Sequence, residues 1–318
     1  VAATDARPGG VLCSGNIVCD ILVQPVDRVI PGATIPVERV ERHMGGNGSN
    51  TAYALGILGA RVHLLGSVGA DEEGEFVLRR LCSAGVDTSM VGRSAKRTAT
   101  TIVLVSTDGQ RSFLHLFGAS ADVEVDPSMF ARCGCSHYHL ASPFGLPAIR
   151  RGKVELLSAA RAAGMTTSLD THWDSLGEWM RDLALCLPLL DLLFLNEDEA
   201  RMLTGIADPL EAARAVRSAG AAVVLLKRGA RGCMALSADG ERAVAGYRVE
   251  TIDSTGAGDC FAGGFLAARE RGAAFLEAAE FANAVGALSV SALGATEGLR
   301  SYEETRAWIA SAERIALR

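Results

Sequence analysis

Aromatic side chains are scarce in this chain, at 5% of its 318 residues. The core must therefore be filled by aliphatic and small side chains. With Ala, Gly, Leu and Val abundant, the expected packing is close contact between helices and sheet. Basic residues form no block and the net charge is −6, which argues against nucleic acid as a partner. Long apolar runs are missing as well. The nearest, residues 183–195, is broken by Pro188 and Asp191 and falls short of a bilayer span, so no membrane attachment is expected. The first ten residues are too polar for a secretory leader, and the missing initiator Met is what a trimmed chain would show.

Paired cysteine motifs are also absent. The eight cysteines are dispersed with no C-x-x-C, which fits a reducing, cytoplasmic setting better than a disulfide framework. Cys133-Gly-Cys135-Ser-His137-Tyr-His139 offers residue types that zinc favours. On a strand its ends would stand roughly 20 Å apart, so the four cannot meet one ion without a sharp bend. Neither G-x-x-x-x-G-K-[ST] nor a G-x-G-x-x-G after the first strand occurs, which excludes a P-loop NTPase and disfavours a dinucleotide-dependent oxidoreductase.

What is present centres on Asp253-Ser-Thr255-Gly256-Ala257-Gly258-Asp259, followed by a run of small and apolar residues suited to a packed helix. Such a turn is a helix N-terminus, where free N–H groups and the macrodipole favour an anion. A carboxylate beside a bound phosphate is electrostatically awkward unless it has a task, such as taking a proton from an attacking hydroxyl. That outlines a phosphotransferase. The bland alternative is a strand-to-helix turn that Asp259 helps to cap.

Periodicity places this turn in an α/β chain. Strands are expected at 11–17, 61–68, 137–140, 165–169, 192–195 and 222–226. Helices are expected at 50–58, 71–84, 153–163, 197–204, 210–219, 257–270, 275–293 and 303–316. The alternation implies a three-layer α/β/α domain with a mostly parallel central sheet, whose ligands lie beyond the carboxyl ends of the strands. Two extended excursions, about 20–44 and 98–118, the second a hairpin turning at Thr107-Asp-Gly-Gln, are expected to form a small β lid on this single domain. An exposed lid strand leaves backbone unpaired, so a homodimer formed through the lid is a further expectation.

A second glycine-rich segment, Gly45-Gly46-Asn47-Gly48-Ser49-Asn50, lies between the first excursion and a helix. Backbone without Cβ lets a polyhydroxy ligand approach, and Asn47 and Asn50 offer donors and acceptors for neighbouring sugar hydroxyls. A loop with an Asn cap is the plain alternative. Together with Thr51-Ala-Tyr-Ala-Leu-Gly-Ile-Leu-Gly-Ala60 and Gly69-Ala-Asp71-Glu-Glu-Gly74, the segment resembles the N-terminal signature of the ribokinase-type (PfkB) carbohydrate kinases. Asp253 to Asp259 resembles that family's C-terminal signature, and the resemblance covers nearly the whole chain.

The resemblance implies ATP-dependent phosphorylation of the primary hydroxyl of a sugar or sugar derivative, with Mg2+. Asp259 would be the general base, and Gly256, Ala257 and Gly258 the anion hole for the transferring phosphoryl group. Asp20, Gly45, Gly46, Asn47 and Asn50 would hold the sugar. Asn196 and Glu199, in Asn196-Glu-Asp-Glu199, would place magnesium through water; an acidic first helical turn is the competing explanation. Lys227, Gly229 and Gly232 would pass along the nucleotide phosphates, and Asn283 would border the adenine. Asp253, Thr255, Ser289, Ala292 and Gly294 match positions that hold a monovalent cation in many members, compatible here with K+.

The chain departs from ribokinases proper at Val18, Asn47 and Ala141, where they carry Asn, Lys and Glu, which puts ribose itself in doubt. Alternation would point Asp170, His172 and Asp174 the same way and let them replace some of that chemistry, or the segment simply starts a helix. A nucleoside kinase is the alternative acceptor class, disfavoured weakly by the low aromatic content. A non-catalytic sugar or nucleotide sensor on the same fold is the alternative of another class.

Overall fold

The computed structural model describes residues 9–317; most of the polar N-terminal stretch discussed above lies outside them. Among the described residues thirteen strands form two sheets. They are β1 (Val11–Ser14), β2 (Val18–Gln24), β3 (Arg39–Gly45), β4 (Val62–Gly69), β5 (Val91–Ser94), β6 (Ala99–Val105), β7 (Arg111–Leu116), β8 (His137–Leu140), β9 (Thr166–Asp170), β10 (Leu192–Asn196), β11 (Val224–Lys227), β12 (Cys233–Ser237) and β13 (Gly240–Val244). The helices are α1 (Asn47–Ile57), α2 (Glu72–Ser83), α3 (Met129–Arg132), α4 (Pro147–Ala162), α5 (Met180–Leu183), α6 (Glu197–Thr204), α7 (Pro209–Ser218), α8 (Ala257–Glu270), α9 (Phe275–Ser289) and α10 (Tyr302–Ser311).

The main sheet runs β13-β12-β11-β10-β9-β8-β1-β4-β5. From β11 to β5 every pairing is parallel, and β12 and β13 close one edge as an antiparallel hairpin. Strands β1 and β8 are buried along their whole length, as a parallel sheet covered on both faces requires. Alternation divides the core accordingly. Val11 and Cys13 pack with Leu55, Phe265 and Ala282 on one face, while Leu12 packs with Tyr138, Leu157 and Leu193 on the other.

The second sheet has the order β3-β2-β6-β7, with β2 and β6 parallel and both outer pairings antiparallel. It comes from the two early excursions, and its inner and outer faces differ. Asp20, Leu22, Thr101, Val103, Arg111, Phe113 and His115 face a cavity above the main sheet. Val40, Ile102, Leu114 and Leu116 point to the opposite side and are exposed, and on β7 the cavity-facing Phe113 is open as well. Asp71 fastens the root of this sheet. Its carboxylate accepts the Gly74 N–H that caps α2 (3.0 Å), and also the Thr98 N–H (2.8 Å) and hydroxyl (2.5 Å) just before β6. The Gly69–Gly74 segment is thus the point where the two sheets are joined.

Several boundaries differ from expectation. The first strand splits at residues 15–17, where the chain passes from one sheet to the other. Residues 25–38 form no strand. Helix α4 begins at Pro147, whose fixed φ and missing N–H suit a first turn. Helix α9 ends at Ser289, because the following segment folds back so that the Gly294 N–H reaches Asp253 (2.9 Å). Helix α10 ends at Ser311. The Cys133–His139 cluster is core: both cysteines are buried, and His137 and His139 share the Ser168 hydroxyl at 2.7 Å each. Among the described residues no helix is long and apolar enough to cross a membrane.

Candidate active site

Two cavities, of about 1390 and 670 Å³, lie beyond the carboxyl ends of β1, β9, β10 and β11, and both are lined by Asn47, His172, Gly256 and Asp259. Gly256 is the N-cap of α8 and sits in the left-handed region at φ 70°. A Cβ there would stand 2.6 Å from the Ala295 Cβ, so only glycine allows the turn to lie against residue 295. Beyond it, the first turn of α8 presents N–H groups without an earlier helical turn to accept them, of which that of Ala257 makes a long contact with the Ser254 carbonyl at 3.4 Å.

Asp259 stands in that first turn, where the two cavities meet. Its Oδ2 accepts the Asn50 side-chain N–H at 2.9 Å, and the Thr51 hydroxyl donates to its carbonyl at 3.3 Å. Burial raises its pKa to about 6, with Asn50, Lys227 and Asn47 pulling the other way. A carboxylate with this pKa is ionised at neutral pH and still basic enough to accept a proton.

The larger cavity lies under the second sheet. Asp20 projects into it from β2, its pKa raised by burial to about 6 against the Thr101 hydroxyl and His43. Gly45 makes room for it, because a Cβ there would fall 2.0 Å from Asp20 Oδ2. Gly46 and Asn50 line the same space. Asn16 lines it too, a residue that motif reading passed over although it stands four before Asp20. Asn16 Oδ1 and Asn50 Oδ1 are both buried without a partner in the protein, two acceptors suited to hydroxyl donors. Part of the wall is aromatic, with Phe113, His115, Phe117, Phe144, His172 and Trp173, alongside aliphatic Leu22 and Val103 and the cationic Arg111 and Arg150. Four of the chain's seventeen Phe, Tyr and Trp side chains line this one cavity, so a low overall aromatic content does not by itself count against a planar substrate.

The smaller cavity is lined by Asn196, Glu199, Lys227, Gly229, Gly232, Gly258 and Asn283. Lys227 ends β11, and its ammonium contacts Asp170 at the end of β9 at 2.6 and 2.8 Å, two strands away. It also faces the turn of α8, since a Cβ on Gly258 would meet Lys227 Nζ at 2.9 Å. Burial opposes the Lys227 charge, but the carboxylates of Asp170, Glu199 and Asp259 hold its pKa above the ordinary value. Burial pushes Asp170 up in turn; the two short contacts are those of an ammonium and a carboxylate. Lys227 therefore places a cation beside the first turn of α8, at the start of the loop that follows β11.

Asn196 and Glu199 form a capping box on α6. Asn196 Oδ1 accepts the Glu199 N–H at 2.8 Å, and Glu199 Oε2 accepts the Asn196 N–H at 2.7 Å and the Thr171 hydroxyl at 2.8 Å. Both residues nevertheless line the cavity. Oxygen donors of this kind suit Mg2+ held mainly by waters and phosphates; among the described residues no group of three or more His, Cys, Asp or Glu converges to hold a metal. Asn283 donates its amide to the carbonyls of Val244 and Ala245, bracing the loop after β13 along this cavity.

Asp170, His172 and Asp174 do not act as one cluster. Asp170 holds Lys227, and His172 stacks on Phe144. Asp174 accepts the N–H groups of Leu176, Glu178 and Trp179 and pairs with Arg150 at 2.7 Å, a structural role. Val18 and Ala141 are buried apolar residues here.

The positions matched to a monovalent cation are partly occupied by protein. Asp253 Oδ1 accepts from Arg111 Nη1 at 2.5 Å and from the Thr255 N–H at 2.8 Å. The same Nη1 donates to Thr255 Oγ1 at 2.8 Å.

Residues 11–301 match the model of the pfkB family carbohydrate kinases. The chain is 28% identical over 308 residues to a ribokinase of Haemophilus influenzae, covering 92% of this chain and 95% of that protein. It is 30% identical over 281 residues to aminoimidazole riboside kinase of Salmonella typhimurium, covering 84% and 88%. A crystal structure from E. coli, provisionally assigned as Ribokinase II and in complex with ATP and Mg2+, matches with a TM-score of 0.83 at 25% identity, covering 95% of this chain and 99% of that one.

Proposed function

The chain belongs to the pfkB family of carbohydrate kinases, and on that footing we propose that it transfers the γ-phosphoryl group of ATP to a primary hydroxyl of a sugar or sugar derivative. The observation that carries this reading is the meeting of two cavities at Asp259 and Gly256. An acceptor hydroxyl in the larger cavity and a phosphate in the smaller one would meet there, in line for direct transfer.

Asp259 takes the hydroxyl proton. The N–H groups of the first turn of α8, with Lys227, stabilise charge on the phosphoryl oxygens. Asp20, Asn47 and Asn50 hold the acceptor, with Asn16 adding a further acceptor atom, and Gly45 and Gly46 let it approach the backbone. Asn196 and Glu199 would hold Mg2+ through water, and the ion supplies charge neutralisation between the phosphates when bound. Gly229, Gly232 and Asn283 shape the nucleotide side. The second sheet serves as the lid of the single domain and excludes water. A second acceptor class, nucleosides, is favoured by the aromatic wall of the larger cavity. The outward apolar residues of the lid, Ile102, Leu114 and Leu116, suit pairing with a second copy; elution mass by light scattering tests it, and a monomer at micromolar concentration would refute it.

The test is ADP release from MgATP across ribose, fructose, sugar phosphates, 2-keto-3-deoxygluconate, and purine and aminoimidazole ribosides. A strong response to one acceptor identifies the substrate class. ATP binding with no acceptor response, also after a broader polyol panel, would favour a sensor.

A further inference from the structure

The monovalent-cation positions raise a question that the kinase reading leaves open: what balances the Asp253 carboxylate. Its side chain is only 4% exposed, and a buried carboxylate needs a compensating charge or a full set of donors. Two donors are the N–H groups of Thr255 and Gly294, which pin the carboxylate against the turn leading into α8. The third is Arg111 Nη1, and its position is telling. It lies between Asp253 Oδ1 and Thr255 Oγ1, at 2.5 and 2.8 Å, where a cation held by those oxygens would sit. Arg111 is itself largely buried. The Asp253 carboxylate and Thr255 Oγ1 are therefore committed to protein donors, and with a guanidinium already between them they do not fit K+.

We propose that the Arg111 guanidinium is a built-in replacement for a monovalent cation, so that this protein is indifferent to K+. The inference rests on the kinase reading only for its consequence in turnover; the charge substitution stands on the geometry. It has a second effect that a free ion cannot have. Arg111 opens β7 in the lid, whereas Asp253 and Thr255 precede the anion-hole turn, so one side chain ties the position of the lid to the order of that turn. Arg111 is a positioning residue: it acts on the phosphoryl group through the 254–258 segment.

The experiment compares melting temperatures in potassium chloride and in tetramethylammonium chloride at equal ionic strength, for the wild-type protein and for Arg111→Gln. The wild-type protein should melt at the same temperature in both salts. The variant should melt lower in tetramethylammonium and recover by about 2–4 °C when K+ is present at roughly ten times its Kd, with Li+ ineffective. A potassium-specific rise in the wild-type protein overturns the proposal, and so does a variant that ignores K+. If Arg111→Gln does not fold, Arg111→Met is compared in the same way, and the wild-type arm alone still decides. Turnover gives the parallel readout, with activation by K+ appearing only in the variant. Absence of turnover with every acceptor would count against the kinase reading and leave the melting comparison standing.

Discussion

Two carboxyl groups in the larger cavity, Asp259 and Asp20, are both raised by burial to about 6, and on the kinase reading this predicts the acid limb of the pH profile. For each group the raised pKa means that the protonated form gains as pH falls through 6. Protonated Asp259 cannot take the hydroxyl proton, and protonated Asp20 loses one acceptor for sugar hydroxyls. At pH 7.5 each would be ~97% ionised, and at pH 5 ~10%, by simple titration about the perturbed value. If both must be ionised, kcat/KM for the acceptor at saturating MgATP falls roughly a hundredfold between pH 7.5 and 5, with a limiting slope approaching two. If only Asp259 matters, the fall is roughly tenfold with slope one. The assay is coupled ADP release in constant-ionic-strength buffers, with Mg2+ in excess at each pH. Asp20→Asn separates the cases, since it should weaken acceptor binding and return the slope to one. A profile flat from pH 7.5 to 5 in the wild-type protein would refute the argument, because a general base with this pKa cannot stay ionised there.

Three further outcomes are expected. Asp259→Asn keeps the Asn50 contact region and the shape of the turn, and should retain the nucleotide-induced thermal shift while losing about 10²–10⁴ in kcat. Gly256→Ala forces a Cβ onto a residue at φ 70° and 2.6 Å from Ala295 Cβ; it should cost at least about 1–2 kcal/mol in denaturant unfolding and suppress turnover. Asp170→Asn leaves the Lys227 ammonium in a buried site with one partner fewer, and should lower unfolding free energy by about 3–5 kcal/mol; a change under ~1 kcal/mol would mean that the pair is already compensated by Glu199 and Asp259.

The parts of this molecule that sequence reading reached are those set by local pattern. Helices α6 and α8 fall where capping residues and periodicity put them, because Asn196 and Gly256 signal a helix start within a few residues. The hairpin β6–β7 follows from its Asp-Gly turn. The hairpin β12–β13 carries an equivalent Asp239-Gly240 signal and was passed over, being short and partly exposed. Helix α9 is shorter than its apolar pattern predicts because nothing local marks its end; the chain leaves it to bring Gly294 to Asp253, 41 residues earlier in sequence. The same holds for the site. Asp259, Asp20 and the two glycine turns were legible as motifs. The Lys227–Asp170 pair and the Arg111–Asp253 contact join residues 57 and 142 apart, and only strand order and the placement of the second sheet bring them together. Asn16 could have been found by asking which polar residues share the loop with Asp20.

The two-sided sheet above the cavity has a consequence for how such a protein can change. Because neighbours along β6 and β7 point to opposite sides, substitutions at Phe113 and His115 alter what is held below without touching what Leu114 and Leu116 meet outside. On the kinase reading, acceptor preference and whatever contact the outer face makes lie on interleaved positions of the same strands and can drift independently, one point mutation at a time. A single-residue deletion inside β7 has the opposite character: it breaks the register between its two ends, so that either the leucines turn inward or Arg111 is withdrawn from Asp253. Length variation should therefore be tolerated in the 106–110 turn and the strandless 25–38 stretch, and be ruinous a few residues to either side.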